Sequence, residues 1–420
     1  MLARGAESGA RVGGGTNARL AIVGRYYLQT RPASSNVLGT ESKPADKRRI
    51  LGGWLAPIRG SLPRIGMQTH ARPPPPVGAM RADGSVDPAH EGAVADELAV
   101  ALYEQMVLAR ELDSRLVSLQ REGRIASHSS AVGEEAAIVG AAAALRDEDW
   151  VFLASRETAA ALWRGMPLAA CAHHLLGTAR SAGKGRNVHA PPFWKPTRVA
   201  SVSPLSGSQI PHAVGVAWAA RMRRQDVAAL VFFGDGATSS GDFHTGLNFA
   251  GVTRAPVLAL CRNNGWASSM PASSQTASAG FAVKAVAYGL HGVRVDGGDV
   301  IAVLSVVREA RARASAGGGG TLIEAVTEPP RESESDGSWS ARDPILRLRR
   351  YLEARGLTSR DRDELLLSEV RGDVERALAE AFETPTLGTE SLFDDVYADA
   401  PWHLREQREA ARATVAGAET

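Results

Sequence analysis

Two oxygen-bearing side chains in the middle of the chain, Asp235 and Asn264, each follow an apolar run of strand length. A segment of helical character, residues 241–254, lies between the runs, which is the pattern of two parallel strands joined by a helix. Parallel strands bring both residues to the same carboxyl edge of a sheet, where open α/β folds bind ligands. A carboxylate and an amide carbonyl are hard ligands that can complete an octahedral Mg²⁺ site with a diphosphate and water. The sequence therefore predicts a magnesium–diphosphate site at this edge.

The spacing of these residues indicates which ligand the site binds. Gly-Asp-Gly at 234–236 is followed, after about thirty residues, by Asn-Asn at 263–264, which resembles the motif that binds thiamine diphosphate. A Gly-Asp-Gly tripeptide alone is usually a turn, so an ordinary strand–turn–helix is the alternative interpretation. The wider segments 234–244 and 261–266 resemble the alpha subunit of 2-oxo acid dehydrogenase components, closest to the branched-chain type.

The resemblance implies a set of ligand-binding residues. Mg²⁺ would be held by Asp235, Asn264 and the backbone carbonyl of Trp266. The residues implied to bind the cofactor are Arg156, Ser203, Leu205, Asp235, Gly236, Ala237, Arg262 and Asn264. The Gly-Glu-Glu segment at 133–135 also lies near the cofactor in the family, although acids in the first turn of a helix explain it equally well.

Within that set, Arg156 and Arg262 would grip the diphosphate, since a guanidinium offers a bidentate donor fork. Gly236 and Ala237 would make close backbone contacts with it. The turn that begins at Ser203 supports the cofactor in relatives and, in the branched-chain type, a K⁺ ion. Here this turn is one residue longer, which leaves the K⁺ geometry open.

Three positions depart from the family pattern. Ser155 replaces a tyrosine that precedes the diphosphate-binding arginine in relatives. His189, a candidate catalytic residue facing the substrate channel, follows the Gly-Lys-Gly-Arg segment at 183–186 sooner than in relatives, and that segment is either a phosphate cradle or a turn. Glu332 stands where relatives have a histidine that assists the chemistry. It can act as an acid or base only if burial raises its pKa, and a solvated acidic loop is the alternative interpretation.

The bulk composition excludes several classes of protein. The 420 residues are 44% hydrophobic and 22% charged, which is ordinary for a soluble protein with a large core. A net charge of +2 argues against a dedicated nucleic-acid surface, and no apolar run reaches the ~18 residues of a membrane span. The two cysteines, Cys171 and Cys261, do not suggest a disulfide framework and fit a reducing compartment.

Residues 1–80 contain twelve arginines and lysines but only three acidic residues, and their Gly, Ser and Pro content breaks any long periodicity. This composition predicts a disordered or poorly ordered basic extension that the folded protein can lose. A mitochondrial transit peptide, a bacterial extension and an upstream start codon are the alternatives. Arginine outnumbers lysine along the whole chain, which suggests GC-rich coding and favours a bacterial, cytoplasmic protein over one of the mitochondrial matrix.

The order of elements predicts an α/β fold: a doubly wound, mainly parallel sheet with helices on both faces, followed by C-terminal helices. The sheet and its helices are expected in a thiamine diphosphate-binding domain at residues 81–340. Residues 341–420 are expected to form helices and a tail that pack on the same domain and, by resemblance, on neighbouring subunits.

The resemblance implies an enzyme that decarboxylates a 2-oxo acid oxidatively and transfers the acyl group to a lipoyl group. This chain carries only the diphosphate half of the cofactor site, so the other half must come from a beta subunit, in a tetramer of two alpha and two beta chains. A lipoyl-bearing acyltransferase component is the second implied partner. A pyruvate or acetoin dehydrogenase-type subunit and a catalytically weakened, regulatory or structural paralogue are the alternatives.

Overall fold

A parallel β-sheet lies at the centre of the computed structural model, which describes residues 73–186, 190–328 and 338–418. The strands in these residues are β1 (Trp150–Phe152), β2 (Ala229–Gly234), β3 (Val257–Asn263), β4 (Trp266–Ala267), β5 (Met270–Pro271), β6 (His291–Asp296) and β7 (Thr321–Val326). Five of them form the parallel sheet in the order β1-β2-β3-β7-β6, and β4 and β5 form a small antiparallel hairpin. The predicted parallel pairing of the two strands that precede Asp235 and Asn264 is therefore confirmed.

Helices cover both faces of the sheet. In the described residues they are α1 (Asp96–Arg121), α2 (Glu135–Ala143), α3 (Thr158–Trp163), α4 (Leu168–Leu176), α5 (Gln209–Met222), α6 (Gly241–Thr253), α7 (Ala272–Gln275), α8 (Val300–Ser315), α9 (Pro344–Ala354), α10 (Arg360–Glu383) and α11 (Trp402–Ala418). Residues Ala282–Tyr288 form 3₁₀ turns.

The central strands send alternate side chains into two separate cores. In β2, Leu230 and Phe232 pack on the side of α1, α2 and α8, whereas Val231 and Phe233 pack on the side of α5 and α6. A strand has a side-chain period of two, so a strand buried on both faces reads as a continuous apolar run. This is why the runs in the sequence are unbroken, and the predicted doubly wound α/β fold is confirmed.

The helix α8 begins after a buried aspartate, Asp299, which caps it. Its Oδ1 accepts hydrogen bonds from the N–H groups of Ile301 and Ala302 at 3.1 and 3.0 Å. Its Oδ2 accepts from the N–H groups of Ala79 and Met80 at 2.7 and 2.6 Å. The folded chain therefore starts before residue 81, inside the predicted extension, while residues 1–72 lie outside the described part.

We expect a chain that starts at Pro73 to be stable and one that starts at Arg81 to be destabilised by about 1–3 kcal/mol, because a buried carboxylate oxygen would lose two donors. The shorter chain would also lose Val77, whose N–H donates to the Arg294 carbonyl at 2.9 Å beside β6. Urea unfolding of both chains, each assembled with its beta subunit, measures the difference. Equal stability would show that residues 73–80 contribute nothing to the fold.

The C-terminal helices α9 and α10 pack on α1. Asp343 caps α9 through the N–H of Ile345 at 2.9 Å and pairs with Arg110 of α1 at 3.1 Å. The Tyr103 hydroxyl of α1 donates to Asp363 of α10 at 3.1 Å. All described residues belong to one compact unit, and none of their helices is long and apolar enough to cross a membrane. Packing of the tail on neighbouring subunits stays a prediction.

Candidate active site

A cavity of about 370 Å³ opens at the carboxyl edge of β1, β2 and β3. The residues predicted to bind cofactor or metal all line it, and they are Arg156, Ser203, Leu205, Asp235, Gly236, Ala237, Arg262, Asn264 and Trp266. The predicted catalytic residues, His189 and Glu332, lie outside the described residues. The structure thus brings together every described member of the predicted set.

The register of β2 and β3 makes the two predicted metal ligands neighbours. Gly234 pairs with Arg262 across the parallel strands, so Asp235 and Asn264 leave the sheet side by side. The side-chain carbonyl of Asn264 accepts a hydrogen bond from the N–H of Trp266 at 3.0 Å, which orients the amide. Asn263 instead donates to Glu324 Oε1 at 2.8 Å, so of the two asparagines only the second lines the cavity.

Gly236 sits where the turn after β2 meets the β4–β5 hairpin. A Cβ at this position would lie 2.7 Å from the Cβ of Ala267, closer than real Cβ contacts allow. Glycine therefore lets the hairpin close over the turn, as well as leaving the backbone accessible from the cavity.

Glu134, which had no assigned role in the sequence, connects three of the predicted residues. It precedes α2 and is buried, with 1% of its surface exposed. Its Oε1 accepts hydrogen bonds from Arg156 Nη1 at 2.8 Å and from Asn264 Nδ2 at 3.2 Å. Its Oε2 pairs with Arg262 Nη1. The Gly-Glu-Glu segment was the only sequence signal for this residue.

Arg262 is a buried cation on the floor of the cavity, held between Glu134 and Glu157. Burial opposes its charge, but the two carboxylates outweigh that effect and raise the pKa of the guanidinium above its usual value. Glu157 also accepts from the N–H groups of Ala154 and Arg156 at 2.7 and 3.2 Å, so it shapes the turn after β1. Arg262 therefore stays charged at any physiological pH.

Arg156 is the more accessible of the two cations, with 32% of its side chain exposed. Its neighbour Ser155 also lines the cavity, at the position where the family has a tyrosine. A serine cannot supply the stacking surface of an aromatic ring.

Asp235 is buried, with 3% of its surface exposed, and burial raises the pKa of its carboxyl group. A hydrogen bond from Gln275 Nε2 at 3.1 Å opposes the shift, whereas the negative charge of Glu134 adds to it. A carboxylate whose charged form is unfavourable gains from a nearby cation. Gln275 Oε1 has no hydrogen-bond partner in the described part of the chain, so an unused acceptor lies on the side chain that contacts Asp235.

The charged groups at the cavity carry one excess negative charge, since Arg156 and Arg262 face Glu134, Glu157 and Asp235. A diphosphate would add further negative charge, so an accompanying cation would favour its binding here. Within the described ranges no cluster of three or more His, Cys, Asp or Glu side chains could hold a metal. A metal here would depend on one carboxylate, on amide and backbone oxygens, and on the ligand.

The turn that begins at Ser203 follows an irregular path along one wall. The N–H of Leu205 donates to Ser203 Oγ at 3.3 Å, and Ser208 Oγ donates to the Leu205 carbonyl at 2.8 Å. Gly207 has a φ of +89°, and a Cβ there would lie 2.4 Å from Ser240 Oγ. A glycine in the left-handed region therefore lets this longer turn pass close to the start of α6.

The Gly-Lys-Gly-Arg segment at 183–186 does not line the cavity. Lys184 pairs with Asp395, and Arg186 donates to the carbonyl of Asp394 at 3.1 Å. The contacts of this segment are thus with the C-terminal part of the chain, which does not support the interpretation as a phosphate cradle.

Comparison with known proteins agrees with the site. The chain is 42% identical over 330 residues to 3-methyl-2-oxobutanoate dehydrogenase subunit alpha of Mycobacterium tuberculosis, covering 75% of this chain and 87% of the relative. It is 38% identical over 335 residues to 2-oxoisovalerate dehydrogenase subunit alpha 2, mitochondrial, of Arabidopsis thaliana, covering 77% and 71%. It is 36% identical over 329 residues to pyruvate dehydrogenase E1 component subunit alpha of Staphylococcus aureus, covering 75% and 86%. The family model described as "Dehydrogenase E1 component" matches residues 103–390, and the chain therefore belongs to that family.

Proposed function

We propose that this chain is the alpha subunit of a branched-chain 2-oxo acid dehydrogenase. Membership of the family implies an oxidoreductase that depends on thiamine diphosphate. The observation that carries the proposal is the convergence of Asp235, Asn264, Arg156 and Arg262 on one cavity at the carboxyl edge of the sheet. The names of the relatives at 42% and 38% identity support the branched-chain substrate class.

The residues present fit a diphosphate bound through Mg²⁺. Asp235, the side-chain carbonyl of Asn264 and the backbone carbonyl of Trp266 would hold the metal, because Mg²⁺ prefers oxygen ligands. Arg156 and Arg262 would bind the diphosphate oxygens. The Nε of Arg262 is buried without a hydrogen-bond partner in the described residues, so this cation keeps a donor unused.

The protein's own contribution is to bind and orient. The buried pairs of Glu134 with Arg262 and Arg156 hold both cations in place before a ligand arrives, so little reorganisation is needed on binding. The hairpin lies against Gly236 and forms part of the wall of the site. When bound, thiamine diphosphate supplies the carbon nucleophile and electron sink that decarboxylation requires. The Ser203 and Leu205 turn would support it, and K⁺ at this turn stays a prediction of the resemblance.

The beta subunit would complete the site. An alpha subunit of this family has a beta-subunit partner and works in a complex with other components. We propose two alpha and two beta chains, with a lipoyl-bearing acyltransferase component as acceptor of the acyl group. The lining of the cavity supplies groups for the diphosphate half of the cofactor, which supports a partner for the other half.

The test is to produce the chain with its beta subunit and measure both cofactor binding and turnover. Calorimetry should detect thiamine diphosphate binding that requires Mg²⁺. Turnover with an artificial electron acceptor should be faster for 3-methyl-2-oxobutanoate than for pyruvate. Preference for pyruvate would replace the branched-chain assignment, and cofactor binding without any turnover would favour the non-catalytic paralogue.

We expect Glu332→His to raise turnover of the complex about ten-fold or more, on the order of 1.4 kcal/mol of barrier. The resemblance implies a histidine at this position, beside the diphosphate, where it can transfer protons near neutral pH, whereas a glutamate there would be an anion beside an anionic group. Turnover of wild type, Glu332→His and Glu332→Gln measures the effect. A fast wild type that both substitutions slow would make Glu332 a working catalytic residue.

A further inference from the structure

We propose that residues 385–395, which we name the strap, hold residues 178–186, the basic loop, in place and thereby position the chain that enters the cavity wall at Pro191. Arg186 is the positioning residue at the centre of this contact. The inference rests on the proposed function for what the cavity does, whereas the contacts between strap and loop are independent of it.

The basic loop folds back on the end of α4. Gly185 has a φ of +70°, and a Cβ there would lie 2.8 Å from the carbonyl oxygen of Gly177. Lys184 has a φ of +50°, in the left-handed region that non-glycine residues seldom adopt. Such a backbone persists only where surrounding contacts hold it. One of these contacts is a backbone hydrogen bond from the N–H of Ala179 to the carbonyl of Pro385 in the strap, at 2.8 Å.

Arg186 makes the densest set of contacts between loop and strap. Its Nη2 donates to the backbone carbonyls of Ser391 and Asp394, the second at 3.1 Å. Its Nη1 lies 3.5 Å from Asp395 Oδ2, and Lys184 pairs with the same carboxylate. Exposed ion pairs contribute little on their own. A planar guanidinium that bonds two carbonyls and a carboxylate fixes the geometry in a way that a point charge cannot.

The helix α11 holds the strap from its other side. Arg408 lies 3.3 Å from Asp394 Oδ1 and stacks over the ring of Phe393, with its Cζ 5.8 Å from the ring centroid. Arg412 Nη2 donates to Glu390 Oε2 at 2.6 Å. The strap therefore contacts both α11 and the basic loop.

Buried histidines fix both ends of the connection to the cavity. His173 Nδ1 lies 2.9 Å from Thr178 Oγ1, at the start of the loop. His174 Nε2 donates to the carbonyl of Ala190 at 3.0 Å, one residue before Pro191. Between these two anchors, the contacts that hold the basic loop include those to the strap and the ion pair of Arg180 with Glu380 of α10.

None of the loop or strap residues lines the cavity, so their effect on the reaction has to pass through position. Weakening the contacts between the strap and the basic loop should leave the affinity for thiamine diphosphate and Mg²⁺ unchanged. It should raise KM for the 2-oxo acid or lower kcat, because the wall at Pro191 would no longer be held in one place.

Hydrogen exchange of the full-length chain, assembled with its beta subunit, tests the contacts between the strap and the basic loop directly. In Arg186→Gln, the peptide that covers residues 178–186 should exchange about ten-fold faster than in wild type. Asp395→Asn should give a smaller increase, and Arg186→Lys should restore only part of the protection. Arg360→Gln is the matched control, since Arg360 makes an exposed ion pair with Glu364 elsewhere, and it should change nothing.

Unchanged exchange in both Arg186→Gln and Asp395→Asn would overturn the proposal. Faster exchange with unaltered kcat and KM would overturn the positioning role of Arg186, although the contact between the strap and the basic loop would stand. The exchange experiment needs neither cofactor nor substrate, so its outcome is separate from that of the proposed function. If the wild-type complex fails to bind thiamine diphosphate, the proposed function fails, whereas hydrogen exchange of the basic loop can still be measured.

Discussion

Asp235→Ala is expected to weaken Mg²⁺-dependent binding of thiamine diphosphate by at least about 100-fold. Loss of a group that merely orients a ligand costs about 10–100-fold in metal affinity, and Asp235 is proposed as a ligand itself. It is also the only carboxylate at the cavity that has no arginine partner in the described residues. Calorimetry on the complex with its beta subunit, at several Mg²⁺ concentrations, measures the change.

The free energy of unfolding distinguishes a loss of cofactor binding from a loss of folded protein. Burial raises the pKa of Asp235, so its charged form is less favourable in the folded protein than in the unfolded chain. A raised carboxyl pKa lowers stability above the unfolded value of about 4, and the loss is relieved as pH falls. At neutral pH, the isosteric Asp235→Asn should therefore bind cofactor poorly without losing stability. Asp242→Asn, at an exposed acid in the first turn of α6, is the control and should bind normally. Unaltered affinity in Asp235→Ala would rule out the metal site.

Glu134→Ala is expected to destabilise the cofactor-free protein by about 3 kcal/mol. Removing one partner of a buried ion pair costs about 3–5 kcal/mol because the other charge stays buried, and Glu157 still compensates part of the charge of Arg262. Cofactor affinity should fall as well, since Arg156 and Asn264 would lose their shared acceptor. Urea unfolding and calorimetry measure the two effects.

Two further variants serve as comparisons for Glu134→Ala. Glu134→Gln keeps an oxygen acceptor and should lose less stability than Glu134→Ala. Glu364→Gln removes an exposed ion pair with Arg360 and should leave unfolding unchanged, because surface pairs contribute little. A Glu134→Ala protein as stable as wild type would mean that Glu134 does not hold the arginines together.

Local sequence was sufficient for the parts of the site that lie on consecutive elements. Asp235 and Asn264 follow strands that are joined by a single helix, and the geometry of such a unit leaves little freedom in where the two residues end. The cap of α8 at Asp299 and the cap of α9 at Asp343 were predictable for the same reason, since a cap depends on neighbouring residues. The doubly wound sheet followed from the alternation of strand and helix patterns along the chain.

Tertiary structure alone decided which distant groups share a contact. Glu134 meets Arg262, 128 residues further along the chain, because α2 begins and β3 ends at the same edge of the sheet, and no periodicity in the sequence indicates that contact. The extra backbone donors of Ala79 and Met80 reach Asp299 from 220 and 219 residues away, so composition placed the start of the fold too late. The Gly-Lys-Gly-Arg segment at 183–186 resembled a phosphate cradle because its residue types suit an anion. Its contacts are with the carboxylates and carbonyls of residues 391–395, since only the folded chain determines which anionic groups lie within reach.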